Sequence, residues 1–393
     1  MAQTHPSAPP HITPLEMTAR LVSFDTVSSR SNLALIDFVA DYLAAHGVGS
    51  IRLPNEAGDK AALFATIGPA DRPGICLNGH VDVVPVEGQA WSSPPFEPRL
   101  ADGRLYGRGT CDMKGFVATA LALVPELLAA DLKAPIHLLF SYDEEITCFG
   151  SLDGIRRFGK EVAMPFACIV GEPTLMDVVD AQKSLSSYVT RVTGRPAHSA
   201  MPALGANALY AAARIVVELE AIADELREAG DPSGRFDPAY STVQVGLFNG
   251  GKAVNIVPDE ARIVWECRGV PSLGLDVIPD RIRAFSREVV LPRLTRVAAD
   301  AAITTELQVR VPALASDPGS HAETLALRLA GRNRTQAVSY GTEAGHFQLA
   351  GVPTVICGPG SIEQAHRADE WIALSELEAC AAFLRRLADA LSH

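Results

Sequence analysis

Short apolar runs alternate with amphipathic stretches over the first 180 residues of the chain. Helical periodicity predicts helices at residues 15–22 and 32–46, and Gly47 is a natural stop for the second. Further elements are predicted as buried strands at 61–67, 74–77, 136–141 and 167–170, with a helix at 116–130. This alternation is typical of an α/β sheet with helices on its faces.

The pattern changes near Asp180. Strand, helix, strand, strand, helix and strand are predicted in that order at 185–193, 203–229, 241–247, 261–267, 276–297 and 303–311. This order is the split βαβ arrangement of a ferredoxin-like α+β module. Helix and buried strand alternate again from His321, with a strand at 353–357 and a closing helix at 374–391. The sequence therefore predicts a mixed-sheet α/β domain in two segments, 1–182 and 313–393, with a module inserted at 183–312.

Composition excludes several classes of protein. The 393 residues are 48% hydrophobic and 20% charged, and the formal net charge of −12 argues against a nucleic-acid partner. No apolar run is long enough to span a membrane. Residues 1–14 have neither the basic nor the apolar region of a signal peptide, so we expect a frayed tail and a cytoplasmic protein. The seven cysteines contain no C-x-x-C pair and are interpreted as reduced core thiols.

The first candidate functional residues follow the predicted strand at 74–77. His80 and Asp82 are two residues apart, so in an extended segment both side chains point to the same face. An imidazole there can bind a metal while a nearby carboxylate orients its ring. A solvated turn with a chance His and Asp is the alternative.

Four more polar clusters follow predicted strands or turns. Asp112 ends a Gly-rich turn, where it could instead cap the next helix; residues 143–145 are three consecutive acids, which could be a solvated loop. Glu172 and His366 each follow a buried strand. Together the clusters supply two His and several carboxylates at strand ends of one sheet, the mixed ligand set suited to zinc or a neighbouring divalent metal.

These motifs resemble the di-zinc amidohydrolase family of acetylornithine deacetylase, succinyl-diaminopimelate desuccinylase, aminoacylase and glutamate carboxypeptidase. The matching segments are residues 79–82 (GHVD), 109–115 (GTCDMKG), 143–145 (DEE), 171–174 (GEPT) and His366. Within the family, the chain is most similar to the acetylornithine deacetylases through residues 169–174 (IVGEPT), 340–345 (YGTEAG), 358–361 (GPGS) and 364–366 (QAH).

The resemblance implies two zinc ions, with cobalt as a substitute. One metal would be held by His80, Asp112 and Glu172, and the other by Asp112, Glu145 and His366. Asp112 would bridge them. Two metals that share a water lower its pKa and polarise the amide carbonyl.

The resemblance also implies roles for residues that do not bind metal. Glu144 is similar to the family's general base, and Asp82 to the partner of the metal-binding His80. In the inserted module, expected to serve as a dimerisation or lid domain, His198 resembles the residue that reaches the partner subunit's oxyanion site. The alternative for His198 is a surface histidine in a turn. Asn255 and Arg268 resemble polar substrate contacts, and the guanidinium fork of an arginine suits a substrate carboxylate.

The last implied substrate contacts are backbone N–H groups at residues 358–361, with Gly358 and Gly360 as anion-binding positions. The sequence departs from the deacetylase pattern at Gln182, Ser184, Cys267 and His346. All four departures lie where the substrate pocket is expected, so they affect substrate identity rather than metal chemistry.

Three hypotheses remain at this point. The leading one is a homodimeric hydrolase of arginine biosynthesis that removes an acyl group, acetyl by preference, from an N-acyl amino acid such as N-acetylornithine. The second is a deacylase or peptidase acting on another N-acyl amino acid, an N-succinyl compound or a dipeptide. The third is a non-catalytic, metal-containing binding protein on the same fold, which the presence of Glu144 beside a complete ligand set disfavours.

Overall fold

The structure is a computed structural model, and it describes residues 12–393. The predicted frayed tail at residues 1–14 therefore lies mostly outside the described residues. The chain divides into two compact units. The first unit contains the described residues up to 180 together with 316–336 and 342–393, and the second contains 181–315 and 337–341.

The elements up to residue 182 alternate between strand and helix. They are α1 (Pro14–Val22), α2 (Leu33–Ala45), β1 (Ser50–Pro54), β2 (Ala61–Ile67), β3 (Ile75–His80), β4 (Arg99–Ala101), β5 (Arg104–Tyr106), α3 (Gly115–Ala122), α4 (Val124–Ala129), β6 (Ile136–Ser141), α5 (Leu152–Ile155), β7 (Ala167–Pro173) and β8 (Val179–Gln182).

The remaining elements follow in chain order. They are β9 (Leu185–Thr193), α6 (Ala208–Ala229), β10 (Thr242–Gly250), β11 (Glu260–Arg268), α7 (Val277–Phe285), α8 (Leu291–Thr295), β12 (Ala302–Val311), α9 (His321–Ala330), β13 (Gln336–Val338), α10 (Ala344–Leu349), β14 (Thr354–Gly358), β15 (Trp371–Ala373) and α11 (Leu374–Leu391).

The first unit is built on a mixed sheet in the order β1-β2-β6-β3-β7-β14-β8-β13. The central strands β6, β3, β7 and β14 are parallel, whereas β1, β2 and β8 pair antiparallel with their neighbours. Every residue of β3, β6 and β7 is buried, as expected for parallel strands covered on both faces. Their carboxyl ends therefore meet at one edge of the sheet, where ligands bind in such folds.

Helices α1, α3 and α11 contribute buried apolar side chains to the core of this unit. The prediction of one continuous helix at 116–130 was wrong. Two helices, α3 and α4, meet at Leu123, because Pro125 in the first turn of α4 has no N–H to continue the ladder. All seven cysteines are free and buried, as predicted.

The second unit has the predicted order of elements. Its sheet runs β10-β11-β9-β12 with every neighbouring pair antiparallel, which is the ferredoxin-like arrangement. Trp265 fixes the core: it is buried, stacks on Tyr188 with ring centroids 4.4 Å apart, and donates from Nε1 to Thr190 Oγ1 at 3.0 Å. The predicted fold class, a mixed α/β sheet domain with an inserted ferredoxin-like module, is confirmed.

Two helix predictions in this unit need correction. The helix predicted from residue 203 begins at Ala208, where the Asn207 side chain accepts from the Tyr210 N–H; Pro202–Leu204 forms a separate 3₁₀ turn. The helix predicted at 276–297 is divided by a π-helical turn before α8 begins. Among the described residues, no helix is long and apolar enough to cross a membrane.

Candidate metal centre

His80 is the last residue of β3 and is buried. Its Nδ1 lies 2.9 Å from the backbone carbonyl oxygen of Asp82, which can only accept, so Nδ1 carries the proton. Nε2 is then available to a metal and lies 3.0 Å from Oδ1 of Asp112. The carboxylate of Asp82, predicted to orient the ring, is farther away, with Oδ1 3.6 Å from Nδ1.

Asp112 stands between two imidazoles. Its Oδ2 lies 3.2 Å from Nε2 of His366, so each of its carboxylate oxygens faces a different histidine. Burial alone would raise the pKa of Asp112, but the hydrogen bonds from His366 and His80 outweigh burial and hold that pKa well below its usual range. Asp112 does not cap α3, because it lies within the irregular turn Thr110–Lys114 that precedes the helix.

The turn after β6 carries Glu144 and Glu145. The Asp82 carboxylate accepts the N–H of Glu144 at 3.2 Å and that of Glu145 at 3.3 Å, while the Ser28 hydroxyl donates to it at 2.6 Å. Asp82 therefore holds the turn by its backbone. Glu145 Oε2 reaches 3.0 Å from Nε2 of His366.

Glu144 lies beside this group without belonging to it. Its Oε2 is 4.0 Å from Nε2 of His80, beyond hydrogen-bonding distance, and its Oε1 accepts from the Cys148 thiol at 3.2 Å. Burial and the neighbouring Glu145 raise the pKa of Glu144 well above its usual value, against the opposing charge of His80. Glu144 is therefore a carboxyl group that lies beside the potential ligands while belonging to neither of their groups.

Glu172 completes the inner side of the cluster from within β7. It is buried, and its Oε1 lies 3.8 Å from Nε2 of His80. Gly171 allows the strand to pass close to α3, since a Cβ there would lie 2.0 Å from Cγ of Phe116. Burial, followed by the charges of Glu144 and Asp112, raises the pKa of Glu172.

His366 is the exposed member, with 55% of its side chain accessible. It lies in the loop after the 3₁₀ turn Ile362–Gln364, with φ of 62° in the left-handed region that non-glycine residues rarely adopt. Hydrogen bonds with Asp112 and Glu145 raise the pKa of His366 to about 10.

The structure brings all five predicted metal ligands together in two groups that share Asp112. Within each group the potential ligand atoms all lie within 4.8 Å of one another; the groups are His80, Asp112 and Glu172, and Asp112, Glu145 and His366. Crowded, buried carboxylates repel one another, and a divalent cation relieves that repulsion. Imidazole and carboxylate donors suit zinc and its neighbours, so the donor set fits two metal ions bridged by Asp112.

The predicted residues of the inserted module all lie in the second unit. His198 is exposed in the turn after β9, and its Nδ1 accepts the N–H of Ala200 at 3.1 Å. Asn255 is also exposed, and its carbonyl accepts the Ser199 N–H at 3.0 Å. Arg268 is partly buried and donates from Nε to Oε1 of Glu266 at 3.1 Å.

Gly358 and Gly360, the predicted anion-binding positions, are both buried, and their N–H groups have protein acceptors. Gly358 donates to Oγ1 of Thr174 at 3.2 Å, and Gly360 donates to Oε2 of Glu376 at 3.0 Å. Both positions are tightly packed. A Cβ would lie 2.0 Å from the Gly171 carbonyl oxygen at Gly358 and 2.6 Å from the Cys111 sulfur at Gly360.

Two buried acids near the ligands had not been predicted. Glu370 accepts the N–H groups of Gly109, Cys111 and Asp112, and Glu343 accepts from the hydroxyl of Ser141 at 2.7 Å. Glu370 acts on backbone N–H groups, so no motif in the sequence marks it.

Comparison with known proteins identifies the class. The model of Peptidase family M20/M25/M40 matches residues 76–390, and the chain belongs to this family. Acetylornithine deacetylase of Myxococcus xanthus is 35% identical over 377 residues, covering 93% of this chain and 94% of that protein. The acetylornithine deacetylase of Pasteurella multocida is 31% identical over 380 residues, with coverages of 95% and 96%. The predicted family resemblance is confirmed.

Solved structures share the fold. An M20 family metallo-carboxypeptidase from Sulfolobus solfataricus has a TM-score of 0.73 at 19% identity, covering 96% of this chain and 99% of that one. A dinuclear metal binding peptidase of the M20 family from Bacillus subtilis has a TM-score of 0.67 at 15% identity, with coverages of 95% and 96%.

Proposed function

We propose that the protein is a metal-dependent amide hydrolase that removes an acetyl group from an N-acyl amino acid of the N-acetylornithine class. The observation that carries the proposal is the pair of ligand groups sharing Asp112, with Glu144 beside both and part of neither. The similarity to acetylornithine deacetylases over nearly the whole chain supports the substrate class. A cytoplasmic location and a role in arginine biosynthesis belong to the same proposal, because they follow from that substrate.

We assign two zinc ions to the centre, with cobalt as a functional substitute. Bound there, the metals would lower the pKa of water and polarise the amide carbonyl. His80, Asp112 and Glu172 would hold one ion, and Asp112, Glu145 and His366 the other.

Glu144 is assigned as the general base. Its carboxylate takes a proton from the attacking water and delivers the proton to the leaving nitrogen, so that the amide is replaced by a carboxylic acid and an amine. The Asp82 carboxylate supports this role because it fixes the backbone N–H of Glu144 and keeps the side chain beside the ligands. The thiol of Cys148 donates to Oε1, leaving Oε2 directed toward His80.

Recognition of the substrate carboxylate is assigned to Arg268 and Asn255. Because Glu266 binds Arg268 through Nε, the terminal nitrogens of the guanidinium keep the planar fork that suits a carboxylate. The N–H groups of Gly358 and Gly360 are bonded within the protein, so we do not assign them to the substrate.

The four departures from the deacetylase pattern have local structural roles. Gln182 donates to the Pro312 carbonyl, the Ser184 hydroxyl bonds the backbone of Gly269, Cys267 is buried on β11, and the ring of His346 packs edge-on against Phe149. Only His346 is in the same unit as the ligands, and its ring partner Phe149 is exposed. We propose that this pair contributes to acyl or side-chain preference.

We further propose that the inserted module of residues 183–312 is a dimerisation or lid domain. Edge strand β10 exposes Leu247 and Phe248, and α6 exposes Tyr210 and Val217, an apolar surface suited to a two-fold partner. His198 would then act in the partner's site. Since Ala200 donates to Nδ1, the neutral ring carries its proton on Nε2 and can donate to an oxyanion.

Metal analysis and an amine-release assay test the proposal. Protein purified without chelators should contain up to two divalent ions per chain and should release free amine from N-acetylornithine faster than from N-succinyl, N-formyl and dipeptide substrates. Faster release from one of the other substrates would change the substrate class. No bound metal, together with no amide cleavage after zinc or cobalt is added, would favour the non-catalytic binding protein.

A further inference from the structure

Glu370 bonds the backbone on which Asp112 stands. Its Oε1 accepts the N–H of Cys111 at 2.9 Å and the N–H of Asp112 at 3.1 Å, and its Oε2 accepts the N–H of Gly109 at 3.0 Å. Glu370 is buried beside the Arg108 guanidinium, so the carboxyl group makes these bonds away from water and next to a cation. One side chain thus sets the path of the whole turn before α3.

Arg108 connects this turn to the loop of His366. The guanidinium is buried; Nη1 lies 2.8 Å from Oε2 of Glu370 and donates to the Arg367 carbonyl at 3.2 Å, while Nη2 donates to Oε1 of Gln89 at 2.5 Å. Gln89 in turn donates from Nε2 to the His366 carbonyl at 3.0 Å. Gln89, Arg108 and Glu370 therefore form a continuous cluster, called here the Arg108 cluster, with a metal ligand attached at each end.

The two ligands at its ends need such support. Asp112 has φ of −119° and ψ of 94° within its turn, so its N–H is not part of a helical ladder, and His366 stands at a positive φ on an exposed loop. His80 and Glu172 differ, because they lie within β3 and β7, which are fixed by parallel pairing. The ligand group of Asp112, Glu145 and His366 thus depends on loops, whereas two of the three members of the other group stand on the sheet.

We propose that the Arg108 cluster is a positioning device that sets the metal affinity of the group formed by Asp112, Glu145 and His366. Its three members touch no metal ligand atom and are positioning residues rather than catalytic ones. The inference rests on the proposed two-metal centre and adds to it the side chains that hold the second site in shape.

Zinc binding without substrate is the direct test, measured by competition with chelators of graded affinity and by zinc content after dialysis. In Glu370→Gln, one carboxylate oxygen becomes an NH₂ group that faces donors, and Arg108 loses its counter-charge. We call the ion held by His80, Asp112 and Glu172 the first zinc, and the ion held by Asp112, Glu145 and His366 the second zinc. We expect the dissociation constant of the second zinc to rise about 10–100-fold, the usual effect of losing a group that orients ligands. The dissociation constant of the first zinc should change less.

Gln89→Ala is the milder variant. Gln89 is only partly buried in a surface loop, so its removal should leave the fold intact while it releases the His366 backbone. The second zinc should weaken in the same direction by a smaller factor. Glu126→Gln is the matched control, because Glu126 forms an exposed ion pair with Arg385 in the same unit. The Glu126→Gln protein should bind both zinc ions as the wild type does.

The outcomes separate this inference from the proposed function. If the wild type binds two zinc ions and both cluster variants, folded by circular dichroism, bind the second with unchanged affinity, the positioning role is wrong and the metal centre stands. Equal weakening of both ions in Gln89→Ala would also overturn it. If the wild type binds no zinc, the proposed function is wrong, and the positioning role is wrong as well because it depends on the metal centre.

Discussion

Glu144→Gln keeps the volume of the side chain and removes the group proposed to move the proton. Oε2 of Glu144 lies 4.0 Å from Nε2 of His80, and neither ligand group includes this carboxylate, so its loss should leave metal binding near normal. Removal of a positioned general base lowers kcat by about 10²–10⁴-fold, equivalent to about 2.7–5.5 kcal/mol in the barrier. We expect a loss in this range with KM changed far less.

The assay compares steady-state release of amine with metal content for the same preparations. Asp143→Asn is the matched control. Asp143 occupies the same turn, but its carboxylate pairs with Lys60 at 2.6 Å, and asparagine tolerates its positive φ of 57°. This variant should keep kcat within a few-fold of the wild type. Loss of one metal ion from Glu144→Gln would make Glu144 a ligand, and an unchanged kcat would show that another group moves the proton.

Three further predictions concern stability and assembly. Gly171→Ala should lower the free energy of unfolding toward the upper end of about 1–3 kcal/mol, because the new Cβ would lie 2.0 Å from Cγ of Phe116; chemical denaturation measures this. Burial lowers the pKa of His137 to about 4, below the ordinary 6.5. The contribution of this residue to the free energy of unfolding should therefore be fully present above pH 6.5 and should be lost as the pH falls toward 4, by about 3 kcal/mol. Mixing inactive His198→Ala with inactive Glu144→Gln should restore part of the activity, because a mixed dimer has one site with both residues intact.

Each of the three predictions has a control variant or an outcome that would contradict it. Gly49→Ala, where no atom lies within 4 Å of the added carbon, should change stability by less than about 0.5 kcal/mol. His137→Gln should flatten the fall in unfolding free energy between pH 6.5 and 4, and an unaltered slope would mean that other groups cause it. If subunits demonstrably exchange and no activity returns, or if the wild type is an active monomer, His198 does not serve a partner's site.

Sequence patterns located the candidate ligands because several of these polar residues lie at or near the ends of buried strands. His80 ends β3, Glu172 lies within β7 and Glu145 follows β6, and apolar runs predict those strands well. Parallel pairing then brings the ends together, so residues far apart in sequence become neighbours for a simple topological reason.

The supporting groups escaped prediction for an equally physical reason. Glu370 acts by accepting backbone N–H groups, and any residue can donate those, so no pattern of side chains marks its partners. Gly358 and Gly360 were predicted to bind an anion, whereas their N–H groups are bonded within the protein and their lack of a Cβ permits close packing. The short edge strand β1 was missed because its residues are mostly exposed and carry little apolar pattern.

The double acceptance by Asp82 has a consequence for attempts to redesign the protein. Because one carboxylate accepts the backbone N–H of both Glu144 and Glu145, the proposed base and the neighbouring proposed ligand are held together by the same side chain. Inserting or deleting a residue in this turn should displace both side chains together, so the position of the proposed base should not change without a change at the proposed ligand. Laboratory selection for a new amide substrate should accordingly leave this turn untouched and accumulate its changes at side chains that contact the acyl group or the amino acid.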